Sequence, residues 1–250
     1  MILVLAGTEE GRKLSENLYK MGLNVMASVV SEYGKSLLDR NLKARAGPLN
    51  EEELSQLIEI HDIKILIDAT HPFAADISRK AMKVCSEKKV RYIRFERESA
   101  DLDLPGVIRV DSFEEARMKA EEFESIFLTT GSRNLHFFSD LKKKGKKLKV
   151  RVLPSSEVIK KCEELGFLPD EIIAAKGPFS EEMNYIMFRD FKAEVVVTKE
   201  SGPTGGVLEK IKACRRLKIP IIVVRRPFLP YPVVVRNIEE LLKEMGPEMG

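Results

Sequence analysis

Two hundred and fifty residues make room for one large domain or two small ones. With 44% hydrophobic and 32% charged residues, 15 glycines and 12 prolines, the chain reads as globular with ample core. That excludes the collagen-like, mucin-like and disordered classes. Forty-two Lys and Arg against 39 Asp and Glu leave a formal charge of only +3. No nucleic acid partner is expected from so weak a field, and an anionic ligand would have to be met by local cations.

Residues 2–6 are apolar, lack a basic leader and run straight into Gly7-Thr-Glu-Glu. They read as a first strand rather than a signal peptide. An amphipathic stretch over 12–21 and a β-rich run over 25–30 follow, then a helix over 51–60 and a strand over 63–67. That strand ends in Asp-Ala-Thr-His-Pro-Phe and leads to a helix over 73–87 and a strand over 90–95. Pro72 suits the first turn of that helix, with Thr70 or His71 as its cap. Short apolar strands between helices mark a parallel sheet covered on both faces, so the class is α/β. No apolar run reaches the ~18–20 residues of a membrane helix. Cys85, Cys162 and Cys214 have neither CxxC nor metal-ligand spacing. A cytoplasmic protein without disulfide, metal site or membrane partner is expected.

The second half repeats the first. Ile2-Leu-Val-Leu-Ala-Gly7-Thr corresponds to Ile126-Phe-Leu-Thr-Thr-Gly131-Ser, and Gly47-Pro-Leu-Asn-Glu-Glu52 to Gly177-Pro-Phe-Ser-Glu-Glu182. Further matches pair 65–68 with 195–198, 85–97 with 214–226, and 111–116 with 236–241, at offsets of 124 to 130. Two duplicated α/β parallel-sheet domains are therefore expected, over 1–106 and 107–231. A helix over 113–123 precedes the first strand of the second half. By the same symmetry the terminal helix over 237–245 should pack back on the first domain. Parallel sheets carry ligand loops at their strand ends, which would face one shared cleft.

Gly7, Thr8 and Glu9 follow the first strand and open a helix, a turn suited to a phosphate or carboxylate. Gly131, Ser132 and Arg133 form its twin. His71 sits at a strand end, where ligands bind, rather than on a core face. The counterpart loop, Thr198-Lys-Glu-Ser-Gly-Pro-Thr-Gly-Gly206, has the glycine and hydroxyl density of a phosphate cradle, with Lys199 as its charge. Arg45 and Lys176 each precede a Gly-Pro, and Arg97 and Arg226 follow the last strand of their halves. These four cations are candidates for anion binding. The lysine-rich run 142–149 lacks interleaved aromatics and reads as a solvated turn.

Together LAGTEEGRKL, IDATHPFA, LTTGSRNL, AAKGPFSEE and VTKESG…VVRRP resemble the precorrin-6A reductase family of the cobalamin pathway, over residues 2 to about 240. The resemblance implies two Rossmann-like domains and an NADPH-dependent reduction of one double bond in a corrinoid precursor, metal-free or cobalt-containing. It implies that Gly7, Thr8, Glu9, Gly131, Ser132, Arg133, Lys199, Ser201 and Gly202 serve the cofactor. Arg45, Arg97, Lys176 and Arg226 would clamp substrate carboxylates, and His71 is the candidate proton donor. One departure concerns the second strand, which is followed by Glu32 and Lys35 rather than the basic Gly-Arg-Thr of many members, so NADH stays open. Two other classes also stay open: a two-domain tetrapyrrole synthase of the uroporphyrinogen-III type without nucleotide, and a bilobal small-ligand binding protein.

Overall fold

The computed structural model describes residues 1–96, 102–201 and 205–246. It divides into two compact units, Met1–Glu98 with Pro227–Gly250, and Ser99–Arg226. The first holds β1 (Ile2–Leu5), α1 (Glu9–Lys20), β2 (Val25–Val29), α2 (Glu32–Ser36), β3 (Lys43–Ala46), α3 (Glu51–Ile60), β4 (Ile65–Asp68), α4 (Ala75–Lys88) and β5 (Arg91–Phe95). The second opens with β6 (Val107–Val110), α5 (Phe113–Ala120), β7 (Ser125–Leu128), α6 (Ser139–Lys143), β8 (Lys147–Val152) and α7 (Ser156–Glu164). It continues with β9 (Ile172–Ala174), α8 (Glu181–Asp190), β10 (Val195–Lys199), α9 (Val207–Leu217) and β11 (Ile221–Val224). The chain then returns to the first unit for β12 (Val234–Val235) and α10 (Ile238–Met245).

Each unit is a six-stranded sheet, ordered β12-β5-β4-β1-β2-β3 and β6-β11-β10-β7-β8-β9. The two orders match strand for strand, so β4 corresponds to β10 and β12 to β6. Both follow the Rossmann order, with the reversal of direction between β1 and β4 and between β7 and β10. The second unit ends at Arg226, five residues short of position 231, and the chain rejoins the first unit at Pro227. The reason is Tyr231, whose ring stacks on Tyr92 at 6.3 Å and lies 5.1 Å from the Arg94 guanidinium.

Burial on both faces explains the uniform apolarity of the strands. Ile2 and Val4 pack with Leu14 and Leu18 of α1 and with Leu241 and Met245 of α10. Leu3 and Leu5 point the other way, to Leu54 and Ile58 of α3 and to Ala81 and Val84 of α4. Side-chain caps start most of the helices: Thr8, Asn50, Ser112, Ser155, Ser180 and Asn237 each accept an amide of the first turn.

Several local expectations change. Helix α1 begins at Glu9, three residues before position 12, because Thr8 caps it and Gly11 lies inside it. Helix α4 begins only at Ala75, with Ala74 at the cap position and no side-chain cap. Neither Thr70 nor His71 caps it, since the Thr70 hydroxyl is committed to Asp68. The run 142–149 is a turn only in its middle; Lys147, Lys149 and Arg151 alternate with buried Leu148, Val150 and Val152 along β8. No helix of the described residues is long and apolar enough to cross a membrane.

Candidate functional site

In the first sheet the chain leaves β1 toward β2 and leaves β4 toward β5 on the opposite side. The two loops diverge and open a crevice at the carboxyl ends of the strands. Thr8 closes the first loop. Its Oγ1 accepts from the Gly11 amide at 2.9 Å and donates to the Ala69 carbonyl at 3.0 Å, so one hydroxyl ties the β1 loop to the β4 loop. Gly11 permits this approach by having no side chain. A Cβ there would sit 2.9 Å from Ala6 Cα and 3.0 Å from the Cβ and carbonyl oxygen of Ala69. Gly7 has more room, with only Thr70 atoms at 3.7 to 3.8 Å from its missing Cβ; what it offers is exposed backbone. Glu9 is exposed and pairs with Lys13 at 2.7 Å.

The β4 loop hangs from a buried carboxylate. Asp68 is 0% exposed. Its Oδ1 accepts from the Thr70 amide (3.0 Å), the Thr70 hydroxyl (2.6 Å) and Arg94 Nη1 (3.0 Å). Its Oδ2 accepts from Ser78 Oγ and Tyr92 OH, both at 2.6 Å. Arg94, 1% exposed, also donates from Nε to Glu96 at 2.9 Å. Burial by itself would raise the Asp68 pKa; the Arg94 guanidinium and the three hydroxyls outweigh it and hold the carboxyl below its ordinary range. Burial, helped by the Asp68 charge, pushes the Tyr92 phenol up, which keeps it a donor. His71 stands on the loop so anchored. Its Nδ1 accepts from the Phe73 amide at 3.2 Å, which leaves the proton of a neutral imidazole on Nε2.

The second sheet reverses between β7 and β10. Gly131 has φ +75°, in the left-handed region that favours glycine. Ser132 then opens a 3₁₀ turn, Ser132–Phe137, where the first unit has a long helix. Arg133 is exposed on that turn. Burial and, to a lesser degree, repulsion from Arg133 bring the Lys199 ammonium down to about 8. The Ser201 amide donates to the Lys199 carbonyl at 2.8 Å, and the Ser201 side chain fills the space that a Cβ on Gly205 would need. Arg226 is tied to the same loop: its amide donates to Glu200 Oε2 at 3.1 Å and its Nε to the Glu200 carbonyl at 3.3 Å.

The structure thus gathers Gly7, Thr8, Glu9 and His71 at one switch point, and Gly131, Ser132, Arg133, Lys199, Ser201 and Arg226 at the other. Arg45 and Lys176 stand elsewhere. Arg45 lies within the edge strand β3 and Lys176 follows the edge strand β9, each two strands or about 10 Å from the reversal. Arg45 donates to Ser28 Oγ (3.1 Å) and to the carbonyls of Gly47 (3.0 Å) and Pro48 (3.3 Å). Lys176 is exposed. Arg97 and Gly202 lie outside the described residues.

Sequence reasoning missed Gly11, Asp68 and Arg94, and two buried cations of the second unit, Arg151 and Lys210. A signal existed for Lys210, which lies on the Val207, Ile211, Cys214 face of α9; Arg151 shares its place in the alternation of β8 with Lys147 and Lys149 and carried none. The cysteines are core residues, with burial pushing the Cys85 and Cys214 thiols up to about 12. Among the described residues no group of three His, Cys, Asp or Glu converges as a metal site would need.

Comparison with known proteins gives a consistent result. Residues 1–246 match the family described as precorrin-6x reductase CbiJ/CobK. The chain is 36% identical over 246 residues to the cobalt-precorrin-6A reductase of Priestia megaterium, covering 97% of this chain and 96% of that one. It is 40% identical over 253 residues to the protein of the same name from Methanothermobacter thermautotrophicus, covering 96% and 82%. A solved structure of CobK precorrin-6A reductase matches with a TM-score of 0.81 at 25% identity, covering 98% of this chain and 95% of that one.

Proposed function

Because this chain belongs to the precorrin-6x reductase CbiJ/CobK family, we propose that it reduces one double bond of cobalt-precorrin-6A, with NADPH as reductant. The names of the relatives at 36% and 40% identity support the cobalt form of the substrate. The observation that carries the nucleotide part is the Rossmann strand order with a glycine-lined, Thr8-capped helix start at its switch point. Such a start brings backbone N–H groups and the positive end of a helix to a phosphate. Gly7, Thr8 and Glu9 are the first unit's candidates for holding the coenzyme; Gly131, Ser132, Arg133, Lys199, Ser201 and Gly202 are those of the second.

When bound, the nicotinamide supplies the hydride. The protein's own residues position the reactants and deliver one proton. His71 gives that proton from Nε2. As an imidazolium it must release the Phe73 amide; loss of the Nε2 proton leaves the ring protonated on Nδ1, and the hydrogen bond returns only when solvent has taken that proton and restored one to Nε2. Arg45, Arg97, Lys176 and Arg226 hold substrate carboxylates, the arginines with two parallel donors each.

Anaerobic incubation with NADPH and cobalt-precorrin-6A tests the proposal. Nucleotide oxidation that depends on the macrocycle is the expected result. Absence of nucleotide binding and of turnover would overturn it and favour the nucleotide-independent tetrapyrrole class. His71→Gln and His71→Ala are each expected to lower kcat about 10²- to 10⁴-fold. Their residual rates should vary little between about pH 5 and pH 8. Full turnover across that range in either variant removes His71 from the mechanism.

A second reading of the coenzyme rests on α2. Ser31 caps that helix through the Gly34 amide at 3.1 Å and sets exposed Glu32 at its first position, just after β2. An acid at that place favours the ribose hydroxyl of NADH. NADPH is expected to give the higher kcat/KM, with Lys35 offsetting Glu32. Glu32→Ala removes a like charge worth about 1 kcal/mol against the 2′-phosphate, about fivefold in the coenzyme ratio. A parent enzyme that prefers NADH would transfer the assignment to that coenzyme.

A further inference from the structure

The two units treat their buried cations differently. In the first, Arg94 is neutralised inside the fold by Asp68, at the end of β4. Strand order makes β10 the counterpart of β4, and the repeat offset of 130 sets Thr198 where Asp68 stands. Thr198 is 1% exposed, and among the described residues its buried hydroxyl has no hydrogen-bond partner. By strand alternation it shares a face with Val196, which packs against Val207 and Ile211 of α9.

Two cations are buried on this face. Arg151 of β8, 6% exposed, donates from Nη1 to Asn184 Oδ1 at 2.8 Å and lies 4.1 Å from the centre of the Phe179 ring. Among the described residues no carboxylate pairs with it, and its Nε and Nη2 meet no acceptor. Lys210 of α9, 7% exposed, donates to the Gly205 carbonyl at 2.7 Å, and among the described residues its ammonium has no second acceptor. One run of contacts joins them. Asn184 Nδ2 donates to the Phe179 carbonyl at 3.1 Å, and that oxygen lies 3.8 Å from where a Cβ on Gly206 would stand.

We propose that Arg151 and Lys210, with Lys199 at the end of β10, form an oxyanion subsite of the second unit that takes a phosphate or carboxylate group of a bound ligand. Buried charges are tolerated when paired, and here the pairing group that the first unit carries as Asp68 has been replaced by a hydroxyl. Glu209, whose buried Oε2 lies 3.5 Å from where a Cβ on Gly206 would stand, offsets one of the three cations, and the ligand supplies the remaining negative charge. This inference rests on the reading above only in that the nucleotide and the macrocycle are both polyanions, two sources of one chemistry.

The surroundings support it. Lys210 faces Arg151 from β8, Lys199 from β10, and Glu209 and Cys214 on its own helix. Burial, then repulsion from Arg151 and Lys199, brings Lys210 down to about 7, with Glu209 and Cys214 acting in the opposite sense. Burial lowers Arg151 to about 10. An arriving anion favours the ammonium, so binding near pH 8 takes up a proton that binding near pH 6 does not.

Calorimetric titration of the full chain with inorganic pyrophosphate, NADP⁺ and the polycarboxylate uroporphyrin tests the subsite. Lys210→Met and Arg151→Met are each expected to weaken at least one probe about 10- to 100-fold. Lys210→Met should also remove most of the proton uptake, measured in buffers of different ionisation heat, while its melting temperature stays unchanged or rises. Weakening confined to pyrophosphate and NADP⁺ assigns a phosphate; weakening confined to uroporphyrin assigns a carboxylate. Three results would overturn the subsite: no probe binding to the parent, affinities unchanged in both variants, or a lower melting temperature in Lys210→Met with proton uptake retained. None of the probes is consumed, so the turnover test of the reductase reading stands separately.

Discussion

Asp68→Asn is expected to destabilise the first unit by about 3–5 kcal/mol, because it leaves a fully buried guanidinium with only the part-exposed Glu96 carboxylate at its Nε and no anion at Nη1. For a unit of this size that corresponds to a melting point lower by roughly 10–20 °C. The large value follows from the number of donors involved. Arg94, Tyr92, Ser78 and Thr70 all converge on one carboxylate that is 0% exposed. Replacing both charges together, as Asp68→Leu with Arg94→Met, is expected to cost less than the sum of the single changes. An apolar pair of similar volume avoids desolvating either ion. The acid limb of the stability curve carries the same information. Asp68 titrates below its ordinary range, so its contribution is complete above about pH 3.9 and is lost as pH falls through the lower folded value. Asp68→Asn should flatten that limb. Thermal melts of the variants across acidic pH check the prediction, and a melting point within a few degrees of the parent would refute it.

Gly11→Ala sets two effects of known size against each other. Alanine in a helix interior is better than glycine by about 0.8–1 kcal/mol, which by itself predicts a more stable α1. The added Cβ, however, would lie 2.9 Å from Ala6 Cα and 3.0 Å from Ala69, and backbone cannot swing aside as a long side chain can. Overpacking of this kind costs about 1–3 kcal/mol, so the net effect is expected to be destabilising. The displaced helix start also pulls Thr8 away from the Ala69 carbonyl and separates the two loops of the crevice. Coenzyme binding should weaken by more than the loss of stability alone accounts for, since a displacement of 1 Å in a positioning element is costly. Melting temperature and coenzyme titration of the same variant separate the two effects. A stabilised protein with unaltered affinity would show that α1 has room to move.

Much of the architecture is legible because burial on both faces leaves an unambiguous mark. Ile2–Leu5, Ile65–Asp68 and Ile221–Val224 are apolar at nearly every position, and the repeat offsets align the strands that occupy equal places in the two sheets. Short elements leave little mark. Strand β12 is two residues long and exists because Val234 and Val235 pair with Arg94 and Phe95, a partner far away in sequence. Strand alternation in β8 is masked by lysines, whose long stems cover apolar surface while their charges stay wet.

The candidate site was legible in part, for a related reason. Gly7, Thr8 and His71 stand out because strand ends attract turn residues and polar groups. Asp68 looks like the last residue of a strand, and its role appears only when Arg94, Tyr92 and Ser78 arrive from other elements. Thr70 looks like a helix cap but is drawn to that carboxylate at 2.6 Å, which moves the start of α4 to Ala75. Arg151 is hidden among the lysines of β8 and shows only in the packing of that strand; Lys210, on the apolar face of α9, is passed over because an isolated cation is taken to be solvated.

The central claim is that a nicotinamide delivers hydride to the macrocycle on this protein. Anaerobic turnover of cobalt-precorrin-6A with coenzyme carrying deuterium at both C4 positions of the nicotinamide, followed by mass spectrometry of the reduced macrocycle, tests it most directly. One deuterium retained per product molecule is the predicted result. Reduced product without label would contradict hydride transfer from the nicotinamide.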